Sequence, residues 1–460
     1  MRVNKNNNKI LSSAIILGAG TFLAKILGAI FRIPLTALIG AEGIGIYQLV
    51  FPLYTVLLDF SGAGAPTALA RIISSTKSED KIGFAKYYLK TSLKSLSIIG
   101  FVFSLLMALL SFPLAKLQGN YNAYLSYIAL SPAVVFVCLI SSFRGYFQGL
   151  MEMKPTAISQ ILEQVVKLIF GLFFAKLFMP NVKLAVAGAV FAVTLSEVIT
   201  FIFLYILYKK SQKKCCLIIC FNKAIDSTEA KSRTKNFFKV LIPISIIGIC
   251  LPFSHLIDSF IIVNILSKKF INATSLYGLL AGVVCTIINL PVSVCYGIST
   301  VAVPTISSVK NDRDKNRQAT KTLLLTLLFS LPCALFIALF PSQIINLIFR
   351  SLKPTETLIA SNLLRIASPC VVLLSVLQTQ NATLIGKGKL YYPVLSMSVG
   401  IIVKIILNVV LLNIPSINIY GGAIALIACY FTADLINFIL IYIKAEKNAN
   451  KIAINRQFAN

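Results

Sequence analysis

The chain has 460 residues, of which 57% are hydrophobic and only 13% charged, and its mean hydropathy is +0.85. A soluble domain is about 45–50% apolar and about 25% charged, so this composition excludes a soluble protein of this size. It also excludes intrinsic disorder, which requires low hydrophobicity. The composition indicates an all-α polytopic membrane protein.

The formal net charge is +28. In a soluble protein such a charge would suggest binding to nucleic acid. Here the basic residues lie mostly in short loops between apolar runs, which is typical of membrane proteins. We therefore expect anionic membrane lipids, and no nucleic acid, as partners of these loops.

Apolar runs long enough to cross a bilayer predict twelve spanning helices. In chain order they cover 10–38, 45–74, 83–112, 122–150, 156–179, 184–208, 237–266, 275–308, 319–341, 357–385, 391–413 and 421–444. The first run is too long for the core of a signal peptide, so we expect it to remain as a helix. Loops on the side of the N-terminus hold 27 Lys and Arg, against 7 on the opposite side. Both termini are therefore predicted to be cytoplasmic in a bacterial cytoplasmic membrane.

The sequence repeats itself at half its length. Lys25 and His255 are 230 residues apart, and Glu197 and Asp434 are 237 apart. An even number of helices per repeat predicts two pseudo-symmetric six-helix lobes of like orientation. We assign 1–208 to the N-terminal lobe, 209–236 to a basic cytoplasmic linker, 237–445 to the C-terminal lobe and 446–460 to a cytoplasmic tail.

Most of the ten cysteines lie inside apolar runs, where Cys acts as a small hydrophobic residue, so no disulfide framework is expected. Cys215, Cys216 and Cys220 form a cluster after a run of lysines. A lipidation or metal site is conceivable there, but a segment resting on the membrane surface is favoured. Because the chain has one histidine, His255, we predict no metal site and no cofactor.

Ionisable side chains inside predicted spans are costly and usually face a cavity or a partner. The basic ones, which we predict to bind substrate in a cationic cavity, are Lys25, Arg32, Arg144, Lys167, Arg365 and Lys404. The acidic ones and the histidine, which we predict to couple transport or to form charge pairs, are Asp59, Glu163, Glu197, His255, Asp258 and Asp434.

Lys25 and Arg32 are seven residues apart on one helix, so they share a face, and no acid lies three or four residues from either. This pattern favours a cavity that binds an anion such as phosphate. The spacings of Glu163–Lys167 and His255–Asp258 predict local pairs, which are either structural or functional. Asp258 is compatible with a coupling Na⁺ or H⁺ and equally with a salt bridge to Lys404 or Lys25.

Three segments carry a family resemblance: 24–74, which begins AKILGAIFRIPLTALIGAEGIGIYQLV, 143–170 (FRGYFQGLMEMKPTAISQILEQVVKLIF) and 256–308. They resemble the stage V sporulation protein B-like family of the multidrug/oligosaccharidyl-lipid/polysaccharide exporter superfamily. That family is similar to the MurJ-type lipid II flippases. The segments lie in both predicted lobes, so the resemblance spans nearly the whole chain.

The resemblance implies two six-helix lobes around a central cavity and an undecaprenyl-pyrophosphate-linked saccharide as substrate, moved from the inner to the outer leaflet by alternating access. The family's basic cavity residues on helix 1 match Lys25 and Arg32. Some relatives bind sodium through an acid on helix 7, matched by Asp258, but helix 11 here carries Lys404, which argues against that site. MurJ-type relatives have two further C-terminal helices, whereas this chain ends after helix 12.

Other function classes remain open on the sequence. A cation-coupled multidrug exporter of the same superfamily is disfavoured by the basic charges of helix 1. A non-transporting scaffold for envelope or spore assembly is disfavoured by the charges within the spans. An enzyme is not expected, because the chain has no phosphate-binding loop and only short outer loops. Cell-wall synthesis or sporulation proteins are candidate partners.

Overall fold

The computed structural model describes residues 2–60, 64–75, 81–215, 227–307, 309, 311–389 and 391–443. These residues are almost entirely helical. The first eight helices are α1 Arg2–Leu58, α2 Gly64–Ser75, α3 Lys81–Leu109, α4 Ser111–Leu117, α5 Tyr124–Gly149, α6 Lys154–Phe178, α7 Val182–Cys215 and α8 Ser227–Ser267. The remaining ones are α9 Ala273–Tyr277, α10 Cys285–Ser307, α11 Asp312–Leu339, α12 Pro341–Ile348, α13 Pro354–Ala367, α14 Pro369–Gly386, α15 Tyr392–Leu412 and α16 Tyr420–Phe438.

The chain divides into two compact units, Met1–Phe260 and Ile261–Asn460. The boundary lies inside α8, so this helix contributes to both units. The predicted division at 209–236 stays a prediction. The tail 446–460 and the cysteines Cys216 and Cys220 lie outside the described residues.

Ten helices of the described residues are long and apolar enough to cross a membrane. Two features account for the difference from the twelve predicted spans. The first two spans count as one because two helices meet end to end at the kink at Gly40. Helix α6, which carries a polar stripe from Gln160 to Lys167, is not among the ten.

Two positions show how the predicted spans begin and end. We expected a break between the first and second helices, and in the structure two helices meet there at a kink, where only Gly40 departs from helical geometry, with φ 67°. Glycine tolerates this left-handed conformation because it has no Cβ. Within the predicted span 357–385, α13 is followed by α14 at Ser368, whose backbone remains helical, and Pro369 at the first position of α14 has no N–H to donate to the preceding turn.

Helix α5 organises the core of the first unit. One buried cluster joins it to α1, α6 and α7, through residues such as Phe31, Tyr47 and Tyr127. A second cluster joins α5 to α2, α3, α7 and α8. Because α5 belongs to both clusters, the polar side chains that it carries lie deep within the helix bundle.

Candidate functional site

Helix α1 presents a polar face near the middle of its first segment. Lys25 is exposed and Arg32 is half-buried on this face. One turn before Lys25, the Thr21 hydroxyl donates to Gln160 Oε1 of α6 at 2.9 Å. The basic face of α1 therefore borders the polar stripe of α6.

The α6 stripe is joined to α5 by an ion pair. Arg144 Nη2 of α5 lies 2.9 Å from Glu163 Oε2, and the two side chains are 16% and 19% exposed. Arg144 Nε also donates to Ser159 Oγ at 3.0 Å. The predicted pairing of Glu163 with Lys167 is wrong: Glu163 takes a partner from another helix, because Arg144 offers a fixed fork of donors toward it.

Lys167 is held by aromatic rings instead of by a carboxylate. Its ammonium lies 4.7 Å from the ring centroid of Phe51 and 5.4 Å from that of Phe31. The negative faces of aromatic rings attract a cation within about 6 Å. Phe31 precedes the Gly40 bend and Phe51 follows it, so one lysine contacts both segments of α1.

The acids of the first unit lie in different environments. Glu197 of α7 is only 2% exposed, and its Oε1 accepts a hydrogen bond from the Tyr54 hydroxyl at 3.0 Å. Asp59 is half-buried just after α1. His255 Nδ1 lies 4.0 Å from Asp258 Oδ2 on α8, so these two side chains are in contact as their spacing predicted. Asp258 is buried, whereas His255 is only half-buried.

The second unit buries two of the predicted charged residues. Lys404 of α15 is 0% exposed and Asp434 of α16 is 8% exposed. Arg365 lies in the last turn of α13 with an exposed side chain, where its charge complements the helix dipole. The amide of Gln380 of α14 lies 3.2 Å from Asp434. One turn further along α16, Asn437 Nδ2 donates to Asn381 Oδ1 at 2.9 Å.

The structure adds side chains that the sequence reasoning did not single out, namely Tyr54, Ser159, Gln380, Asn381 and Asn437. Asn437 was detectable, since it follows Asp434 by three residues and so shares its face of the helix. Tyr54 and Ser159 were not, because their partners come from other helices. Among the described residues, no three His, Cys, Asp or Glu side chains cluster in a way that could hold a metal ion.

This arrangement suits binding rather than bond-making chemistry. In the first unit, the charge of Arg144 is balanced by Glu163 and that of Lys167 is covered by aromatic rings. Lys25 and Arg32 keep accessible side chains.

The chain resembles characterised and solved membrane proteins over almost its whole length. It is 26% identical to the lipid II flippase MurJ of Bacillus subtilis (strain 168), covering 95% of this chain and 83% of the relative. It is 23% identical to stage V sporulation protein B of the same organism, covering 91% and 80%.

Two solved structures have the same fold. The lipid II flippase MurJ in an inward closed conformation aligns with a TM-score of 0.71 and 16% identity, covering 93% of this chain and 87% of that one. An inward-facing multidrug resistance MATE family transporter of the MOP superfamily aligns with a TM-score of 0.71 and 13% identity, covering 94% and 98%. The chain therefore has the two-lobe, all-helical fold of these transporters.

Two family descriptions match the sequence. The polysaccharide biosynthesis protein family matches residues 10–310, and the MatE family matches residues 243–410. The first match covers more than half of the chain. With ten helices long and apolar enough to cross a membrane among the described residues, the chain is a multi-pass membrane protein, and it belongs to the polysaccharide biosynthesis protein family.

Proposed function

We propose that this protein is a flippase that moves an undecaprenyl-pyrophosphate-linked saccharide across the cytoplasmic membrane by alternating access. The observation that carries the proposal is the basic face of α1, where Lys25 and Arg32 keep accessible side chains beside the polar stripe of α6. A pyrophosphate group cannot enter hydrocarbon unaided, because burying an unpaired charge is very costly. Cationic side chains within the membrane lower that cost.

The similarity to the lipid II flippase and to stage V sporulation protein B supports this substrate class, since both align along nearly the whole chain. The saccharide is that of lipid II or of a related cell-wall, spore-cortex or polysaccharide precursor. Proteins of cell-wall synthesis or sporulation would then be its natural partners. Anionic lipids would contact its basic loops.

A cation-coupled multidrug exporter is the second candidate, because the solved multidrug transporter aligns with the same TM-score as the flippase. The fold therefore does not discriminate between the two. The sign of the accessible charges does discriminate between the two functions. An exporter of cationic drugs needs accessible acidic residues, whereas the accessible charged residues in the middle of the first segment of α1 are basic.

The test is the transfer of fluorescent lipid II between leaflets of vesicles that carry the purified protein. Lys25→Ala combined with Arg32→Ala should reduce the transfer rate at least tenfold, because two charges that contact the pyrophosphate are lost. Lys25→Arg combined with Arg32→Lys should retain most of the activity. Uptake of a cationic dye is measured in parallel.

The matched control is Lys90→Ala with Lys94→Ala, which removes two exposed charges from α3. This control should transport normally. The proposal fails if the α1 double variant, folded and inserted, transports lipid II as fast as this control does. Dye transport without lipid II transport would favour the exporter.

A further inference from the structure

In the second unit, a groove lies between α10, α11 and α12. Its volume is about 630 Å³, and the described residues that line it are apolar apart from Gln343 and the thiol of Cys333. Pro291 of α10 and Pro332 of α11 form part of its wall. Because proline rings are shorter than the Leu, Ile and Phe side chains around them, the wall is recessed at these two positions. A volume of this size lies in the range of ligand pockets.

The groove opens on an exposed apolar surface. Phe336 of α11 and Leu347 of α12 line it and are 57% and 68% exposed. Along the same helix as Phe336, Leu328 and Leu335 are 74% and 61% exposed, and α11 is long and apolar enough to cross a membrane. An exposed surface of this composition is stable against lipid rather than water. Water does not fill an apolar cavity, and an empty one loses dispersion contacts, so the lining favours a hydrocarbon chain.

Positive charge marks one end of the groove. Its lining residue Ile348 is followed two residues later by Arg350, and the side chains of Arg350 and Lys353 are exposed. Two residues of chain span at most about 7 Å, so Arg350 lies close to the groove. The sequence has no charged residue between Lys321 and Arg350. About 27 Å of helix separate Lys321 from Leu339 at the end of α11, so Lys321 belongs to the opposite end of the helix.

The acid that is nearest to these two cations along the chain has another partner. Glu356 lies in the first turn of α13, where its Oε2 accepts a hydrogen bond from the backbone N–H of Lys353 at 3.1 Å. It thus caps the start of that helix. In the part of the chain that the structure describes, no salt bridge joins Arg350 or Lys353 to a carboxylate. Both side chains are therefore available to an anion.

An apolar groove beside two cations matches the two parts of an anionic phospholipid, a hydrocarbon chain and a phosphate. We infer that this groove binds one anionic phospholipid, with an acyl chain against Phe336 and Leu347 and the phosphate at Arg350 and Lys353. Arg donates to phosphate oxygens as a fork, and Lys contributes a point charge. The site lies at the opposite end of α11 from the basic residues around Lys321. Its occupancy does not depend on which molecule the protein transports.

The chain has no tryptophan, so a single introduced Trp reports its local lipid through quenching by brominated phospholipids. In vesicles that carry the purified full chain, Phe336→Trp places this reporter in the groove. The matched control is Phe431→Trp on α16, since Phe431 is also 57% exposed and the one charged residue of α16, Asp434, is buried. Each reporter is calibrated in vesicles of brominated phosphatidylcholine.

The measurement is made in mixed vesicles of brominated phosphatidylglycerol and unbrominated phosphatidylcholine. Quenching of Phe336→Trp should show a preference of about fivefold or more for the anionic lipid, the effect expected of one basic residue beside an anionic headgroup. Phe431→Trp should show no preference. Adding Arg350→Ala and Lys353→Ala to Phe336→Trp should abolish its preference. An equal preference at the two reporters, or one that survives the loss of both cations, would overturn the proposal.

Two other occupants are distinguished by the same reporter. If a second copy of the chain covers the groove, brominated phosphatidylcholine alone will not quench Phe336→Trp, and the proposal is wrong. If the groove takes a polyprenyl tail, undecaprenyl phosphate at a tenth of the phosphatidylglycerol concentration will displace the brominated lipid, which also overturns the proposal. Leu347→Trp on α12 is the second reporter if Phe336→Trp does not fold, and the same results are expected of it.

Discussion

At the scale of single residues, the buried charges of the first unit are satisfied by partners from other helices. Arg144 holds Glu163 across α5 and α6, and Tyr54 holds Glu197 across α1 and α7. The sequence shows which charged residues lie within the predicted spans. It does not show which of two nearby residues of opposite charge will form the ion pair. Glu163 had Lys167 one turn away, yet it pairs with the arginine of another helix.

The contribution of the Arg144–Glu163 ion pair to stability can be tested by substitution. Arg144→Met leaves the Glu163 carboxylate largely buried without its cation, and we expect the free energy of unfolding to fall by about 3 kcal/mol. Combining Arg144→Met with Glu163→Leu should recover most of that loss, because no uncompensated charge remains. Chemical unfolding in detergent, followed by circular dichroism, measures Arg144→Met, Glu163→Leu and the double variant. A double variant as unstable as the sum of its parts would contradict the pairing.

At the scale of helices, hydropathy predicted the extents of several long apolar helices. The predicted spans 156–179 and 391–413 correspond closely to α6 and α15. The predicted break between 38 and 45 coincides with the kink at Gly40, whereas the change from α13 to α14 at Pro369 was not predicted, because Ser368 keeps helical backbone geometry. Average hydropathy is insensitive to that geometry.

Two glycines with different surroundings give opposite expectations for substitution by alanine. A Cβ at Gly400 would lie 2.5 Å from the Cys429 carbonyl oxygen, so α15 and α16 would have to move apart. We expect Gly400→Ala to destabilise the protein by about 1–3 kcal/mol. A Cβ at Gly297 of α10 would meet nothing within 4 Å, so Gly297→Ala should stabilise by about 0.5–1 kcal/mol through its helix propensity. Unfolding temperatures of the two single variants measure the difference, and equal effects would contradict this packing.

At the scale of the whole molecule, composition and the internal repeat were enough to predict a polytopic helical protein of two related lobes. They could not predict the different surroundings of the equivalent acids Glu197 and Asp434. Glu197 accepts a hydrogen bond from Tyr54, whereas Asp434 lies beside Gln380, and both partners come from other helices.

The orientation of the chain is a separate prediction. Excess Lys and Arg on the side of the N-terminus predict that both termini face the cytoplasm. A green fluorescent protein fused after Asn460 should fluoresce, because it folds in the cytoplasm, whereas alkaline phosphatase fused there should be inactive. A fusion of each reporter within the predicted outer loop at Ser351 is the control and should show the reverse. Active phosphatase at the C-terminus would refute the predicted topology.

The position of Lys167 gives α1 a restraint on its shape. Its ammonium contacts one ring before Gly40 and one ring after it. Each such contact contributes about 0.5–2 kcal/mol, so straightening or further folding of α1 at Gly40 would sacrifice at least one of them. Lys167 therefore restrains the two segments of α1 on either side of Gly40. The segment that carries Lys25 and Arg32 is held at a defined angle to the segment that follows Gly40.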